Sequence, residues 1–285
     1  MKKRNIVFAI ALVVLGVSLA CNLGQPSATP APATEAPGDL TAPPPPPSTG
    51  VSMSLGNVSF VIPVDVASGA TSQAFPRAEG QDVAPWDVTP GHTAITLQGY
   101  SMQGSFHDPQ IFVYPAEDYA ALSPGAAESL KRLKVILAQP NVPYPNESLP
   151  YVPFFEAGQV FSAQEKVIPF AGGTGVRVVT QYAQDVEPVN NGGMIYHFEG
   201  LTADGKYYVI AVFPASLPFL PADNDPHTQA PADGVPFPPV DSMNATTFNS
   251  YYDAITRKID STDTGAFAPS LDSLDLLVGS LAITP

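Results

Sequence analysis

The chain has 285 residues, a formal net charge of −14 and a single cysteine. A surface so acidic repels phosphate backbones and anionic headgroups, which argues against nucleic acid as a partner and against a basic membrane-binding face. One cysteine forms no intramolecular disulfide, so the fold has to rest on its apolar core.

Met1-Lys2-Lys3-Arg4 is a positively charged start, followed by a mainly apolar stretch of fifteen residues, Ile6 to Ala20, and then Cys21-Asn22. The stretch is short for a membrane span, which needs about 20 residues, and suits the core of a secretion signal. Ser18-Leu19-Ala20-Cys21 resembles the lipobox of bacterial lipoproteins, typically Leu-(Ala/Ser)-(Gly/Ala)-Cys. Ala20 and Cys21 match it, while Ser18 and Leu19 depart from the usual order. The resemblance implies cleavage after Ala20, a diacylglyceryl group on the Cys21 thiol and a further acyl chain, such as palmitate, on the new N-terminus. Two or three chains, at about 0.8 kcal/mol per buried methylene, give stable anchoring where one is marginal. Such a protein sits at the cell membrane, held by lipid alone and facing away from the cytoplasm.

Residues 1–20 are thus expected to be the signal peptide, and 21–50 the lipidated cysteine and a linker. Asn22 to Gly50 holds nine prolines and almost no large apolar residue. That composition cannot bury enough surface to fold and favours an extended, semi-rigid stalk, at roughly 3.1 Å per residue.

Residues 51–285 read as one globular domain. Val58, Phe60 and Ile62, then Ile95 and Leu97, then Ile111 and Val113, show the period-two alternation of strands. Gly125 to Gln139 is the best helix, stopped by Pro140. Strands follow over Gln159 to Phe161, Val167 to Phe170, Val176 to Tyr182, Met194 to Gly200 and Tyr207 to Phe213. Asp204-Gly205 between the last two is a strong hairpin signal. Residues 214–244 read as a long irregular loop, and helices are expected near Thr246–Asp260 and Ser270–Ile283. This order predicts an α+β fold, an antiparallel sheet with helices packed on one face. The string from Gly175 to Pro214 is similar to bacterial envelope lipoproteins that carry no assigned activity.

The search for chemistry eliminates more than it finds. Gly99-Tyr100-Ser101-Met102-Gln103-Gly104 is one residue too long for a nucleophile elbow. Asp263-Thr264-Gly265-Ala266 copies an aspartic-protease motif once, where the mechanism needs two carboxylates sharing a proton. Gly172-Gly173-Thr174-Gly175 precedes a strand, so it reads as a hairpin turn and not a phosphate cradle. His92, His107, His197 and His227 lack zinc spacing. Asp223-Asn224-Asp225, beside His227, is the densest group of oxygen ligands and the candidate calcium site, although it lacks the spacing of an EF-hand. No catalytic residue is assigned, and no cofactor beyond that calcium is expected. Glu156, Glu165 and Glu199 are carboxylates from which a glycosidase pair could be drawn. Glu199 and His197 fall on one face of a strand and form the candidate site. Tyr151, Phe154 and Phe155 in a proline-punctuated loop, with Tyr207 and Tyr208, have the character of a sugar or peptide surface.

The expected function is a lipid-anchored, non-catalytic binding or envelope-interaction module, with an envelope protein or glycan as partner. The competing reading is an extracytoplasmic hydrolase using paired carboxylates. A concave pocket with converging carboxylates, or a buried Glu199–His197 pair, favours the hydrolase; a packed sheet with an exposed aromatic patch favours binding.

Overall fold

The computed structural model describes residues 49–140, 144–242 and 244–284. Ala20, Cys21 and nearly all of the proline-rich linker lie outside the described residues.

Seven strands form one antiparallel sheet, in the order β3-β4-β5-β9-β8-β7-β6. They are β3 (Gly69–Phe75), β4 (His92–Gln98), β5 (Gln110–Pro115), β6 (Gly158–Phe170), β7 (Gly173–Ala183), β8 (Ile195–Thr202) and β9 (Tyr207–Pro214). A smaller sheet sets β2 (Val58–Pro63) between β1 (Gly50–Leu55) and β10 (Ala282–Ile283). The helices are α1 (Ala116–Leu122), α2 (Pro124–Ala138), α3 (Ala245–Asp260) and α4 (Leu271–Gly279).

The α+β class and the antiparallel sheet agree with the sequence pattern, and the helical cover proves to be two-sided. On one face, Tyr119, Leu130, Leu133 and Ile136 from α1 and α2 pack with Val176, Val178, Tyr208 and Ile210. On the other, Ile255 and Ile259 of α3 and Leu271, Leu274 and Leu277 of α4 share a cluster with Phe161, Phe198, Phe213 and the Phe60 of the small sheet. Double cover explains why β9 reads as an unbroken apolar run, Tyr207 to Pro214, instead of an alternation.

Local chemistry places the breaks. Gly205 (φ 72°) closes the β8–β9 hairpin, and Gly172 (φ 90°) the β6–β7 hairpin, both in the left-handed region that glycine enters freely. Ser123 caps α2 ahead of Pro124 at its first position, accepting from the Ala126 N–H at 3.3 Å. Asn244 and Thr247 form a capping box on α3, and Ser270 caps α4.

Three elements differ from expectation. The two runs between Gln159 and Phe170 are one strand, β6, with register shifts between Gln159 and Phe161 and between Ala163 and Lys166. At the second, Gln164 (φ 56°) is bonded to the end of α3 through the carbonyls of Ile259 and Asp260 and to the turn beyond it through that of Thr262. The final helix stops at Gly279, because Ser280 Oγ accepts the Val61 N–H at 2.9 Å and Ala282–Ile283 pair with β2. The short helix α1 and the polar strand β3 carry too little apolar periodicity to reveal them, whereas β1 has a period-two signal in Val51, Met53 and Leu55 that the expected elements left out.

Candidate functional site

The alternation of β8 sends His197 and Glu199 to the face under α2 and the segment 149–155, and both are at most 2% exposed. Glu199 Oε1 accepts the Val152 N–H at 2.9 Å. Its Oε2 accepts from Ser129 Oγ at 3.2 Å and from the Tyr208 hydroxyl. Ser129 Oγ also accepts the Tyr151 N–H at 2.8 Å, and His197 Nε2 lies 2.7 Å from the Val152 carbonyl oxygen.

Burial drives the Glu199 carboxyl well above the usual carboxylate range, against a smaller opposite pull from the Val152 amide and Ser129. Burial also lowers His197 to about 4, opposed by its bond to Val152. His197 is therefore neutral near neutral pH and donates its Nε2–H to the Val152 carbonyl, while burial favours the uncharged form of the Glu199 carboxyl. With His197 neutral, their 3.5 Å approach is not an ion pair. The network joins strand, helix and loop at Val152 and Tyr151, and neither Glu199 nor His197 lines a described cavity.

What the network positions is more open. Just beyond Val152, Phe154 and Phe155 enter the wall of a cleft of about 840 Å³. Phe155 packs against Tyr182 with ring centroids 4.6 Å apart and against His107 at 4.9 Å, and His107 meets Phe106 at 5.0 Å. Tyr182 bridges the cleft wall to the pin behind it, its ring 6.3 Å from that of His197. The Tyr182 hydroxyl is buried and has no hydrogen-bond partner among the described residues.

The floor is built by amides. Gln181 Oε1 accepts the Asn190 N–H at 2.9 Å, and Asn190 Oδ1 accepts the Gly193 N–H at 2.9 Å. Asn191 is bonded to Leu217 and Leu220. The 104–107 loop is tied down by the Phe106 N–H, which donates to the Gly192 carbonyl at 2.8 Å. Glu156, Asp185, Glu187 and Asp223 bring four carboxylates to the lining.

The remaining candidates are dispersed. Of the carboxylates singled out in the sequence, Glu156 is on this cleft, Glu165 on a separate cavity of about 470 Å³, and Glu199 on neither. Asp223 and Asn224 reach the cleft while Asp225 does not. Asp223 Oδ1 accepts from the Asp225 N–H and Thr228 Oγ, both at 3.2 Å, and Asp225 Oδ1 accepts the His227 N–H at 2.9 Å. Among the described residues no group of three His, Cys, Asp or Glu side chains is placed to hold a metal ion. Ser101 sits in a bend after β4, and Asp263 accepts the Gly265 N–H in a short turn between α3 and α4. Tyr208 belongs to the buried pin, and Tyr151 stacks on Arg132, 4.8 Å from its guanidinium carbon.

Phe106, Tyr182 and Asn190 escaped the sequence reading. The cleft is assembled from four separated loops, and no local pattern marks residues that meet only after the sheet has formed. No protein-family model matches the chain, and the curated proteins contain no match to it.

Proposed function

We propose that this chain is a lipid-anchored, extracytoplasmic binding protein whose domain holds a small molecule in the cleft beside Phe155 and Tyr182 without transforming it. The observation that supports this most is the cleft itself, about 840 Å³ with an aromatic wall and a hydrogen-bonded floor. Concave sites that enclose small ligands fall at about 300–1,000 Å³ and are largely preformed. The anchor rests on Cys21 and the sequence around it.

Both features that favour the hydrolase reading are present, carboxylates on a concave cleft and a buried Glu199–His197 pair, but the pair lines no described cavity. A general acid has to be held protonated at the reacting bond. The carboxyls that burial raises, Glu165 and Glu199, lie outside the cleft, so binding accounts for the geometry with fewer assumptions.

One experiment addresses both halves. The full lipidated chain in nonionic detergent is melted against a panel of saccharides, amino acids and amines, with reaction products monitored. At least one class is expected to raise the Tm. Ala157→Trp, which sets an indole in the cleft, is expected to abolish that shift, and Cys21→Ala to release the protein from membranes or leave it unprocessed. No stabilising class, or turnover of the stabilising compound, overturns the binding reading; unchanged fractionation of Cys21→Ala overturns the anchor.

A further inference from the structure

We infer that the ligand of this cleft is a small organic cation, an alkylammonium or guanidinium compound; the inference rests on the reading of the cleft as a binding site and gives its ligand a chemical class.

The first ground is charge. Glu156, Asp185, Glu187 and Asp223 line the cleft, and no lysine or arginine among the described residues does. His107 does not compensate: burial lowers it, with Asp108 pulling more weakly the other way, so it is neutral at ordinary pH. Glu187 is oriented by amide donors from Gln181 and Asn224, both at 2.8 Å. The carboxylates of Glu156 and Asp185 have no hydrogen-bond or ion-pair partner among the described residues, so they are available to a ligand.

The second ground is the aromatic wall. A cation over a ring face is attracted by the ring quadrupole, and more strongly when it is partly desolvated. Phe106 stands on the rim 85% exposed, the most exposed large apolar side chain among the described residues. Phe155 and Tyr182 continue the aromatic surface inward. Rings and carboxylates on one concave surface are complementary to a charge carried on a carbon skeleton.

The third ground is size. The volume far exceeds a metal ion, and no three-ligand group is present among the described residues to coordinate one. An anion meets four carboxylates and no cation. A neutral ligand leaves that negative potential uncompensated.

The test is titration calorimetry of the full lipidated chain in nonionic detergent with agmatine, tetramethylammonium and, as the neutral arm, maltotriose. At least one cation is expected to bind, and its affinity to fall as salt rises. The double variant Glu156→Gln/Asp185→Asn is expected to weaken binding at least tenfold with an unchanged melting curve. Phe155→Leu is expected to do the same; should it fail to fold, the double variant decides, since both of its positions are exposed. Binding of maltotriose without either cation overturns the cation assignment and leaves the cleft as a binding site. Binding of none of the three overturns the assignment, and the panel experiment then judges the cleft separately. Cation binding that the double variant leaves intact places the site elsewhere and overturns the proposal.

Discussion

Glu199 and His197 carry opposite proton linkages from neighbouring positions of one strand. Glu199 titrates higher in the folded chain than in the unfolded one, so its contribution is present below the ordinary carboxylate range near 4.5 and is lost as pH rises towards its folded value. His197 titrates lower in the fold, near 4 instead of 6.5, so stability falls as pH drops through that interval, by on the order of 3 kcal/mol at most. Between about pH 4.5 and 6.5 the two slopes oppose each other. Glu199→Gln keeps the shape of the pin and removes the carboxyl proton; thermal melts from pH 5 to pH 8 are expected to show a smaller loss of Tm than in the parent chain. An equal or steeper loss shows that Glu199 does not titrate as a buried acid. The placement of this pair on one face was legible from period-two alternation alone. Its role was not, because the partners Ser129, Val152 and Tyr208 come from a helix, a loop and the next strand.

At the scale of elements, the most consequential polar contact joins β7 to α4. Arg177, 1% exposed, donates from Nε and Nη2 to the two carboxylate oxygens of Asp275 at 3.3 and 3.2 Å, while the Tyr196 hydroxyl donates to the same group at 3.0 Å. Removing one side of such a pair strands a buried charge, which costs about 3–5 kcal/mol. Asp275→Asn is therefore expected to lower the urea midpoint by that equivalent, with little change in the slope of the transition. Lys166 also reaches Asp275, at 2.9 Å, but its side chain is half in solvent, so Lys166→Ala is expected to cost under about 1 kcal/mol. Similar losses in the two variants contradict this ranking. Element identity was well marked where apolar residues recur, as in α2, α3 and the central strands. It was hidden in β3, whose Gly69–Phe75 sequence is polar and largely exposed at the edge of the sheet. The one-sided helical cover was a misreading of the same kind: β9 is apolar at every position, and that leaves a second buried face as the natural outcome.

Over the whole molecule, the two ends of the described fold meet in the small sheet. β2 pairs with β1 on one side and with β10 on the other, and Thr284 exchanges backbone and side-chain bonds with Asn57. Leu281, between α4 and β10, is fully buried in the cluster shared with Phe60 and Phe198. Truncation after Gly279 removes this side chain and the third strand. It is expected to lower stability by at least the 2–5 kcal/mol typical of deleting a buried leucine side chain, seen as a lower Tm. An unchanged Tm shows that the final residues are dispensable. The closure was invisible in the sequence, because two residues of strand have no periodicity of their own.

That arrangement also has a mechanical meaning. A pull transmitted along the chain ahead of Gly50 reaches β1 first, an outer strand whose only ladder among the described residues is the one to β2. Half of its residues are exposed and none is fully buried, so the bonds of β1 can be sheared or peeled at the cost of the Met53 and Leu55 contacts and without breaking a ladder of the seven-stranded sheet. The strand is placed to act as a weak link in series with the domain, yielding under load while the cleft keeps its shape.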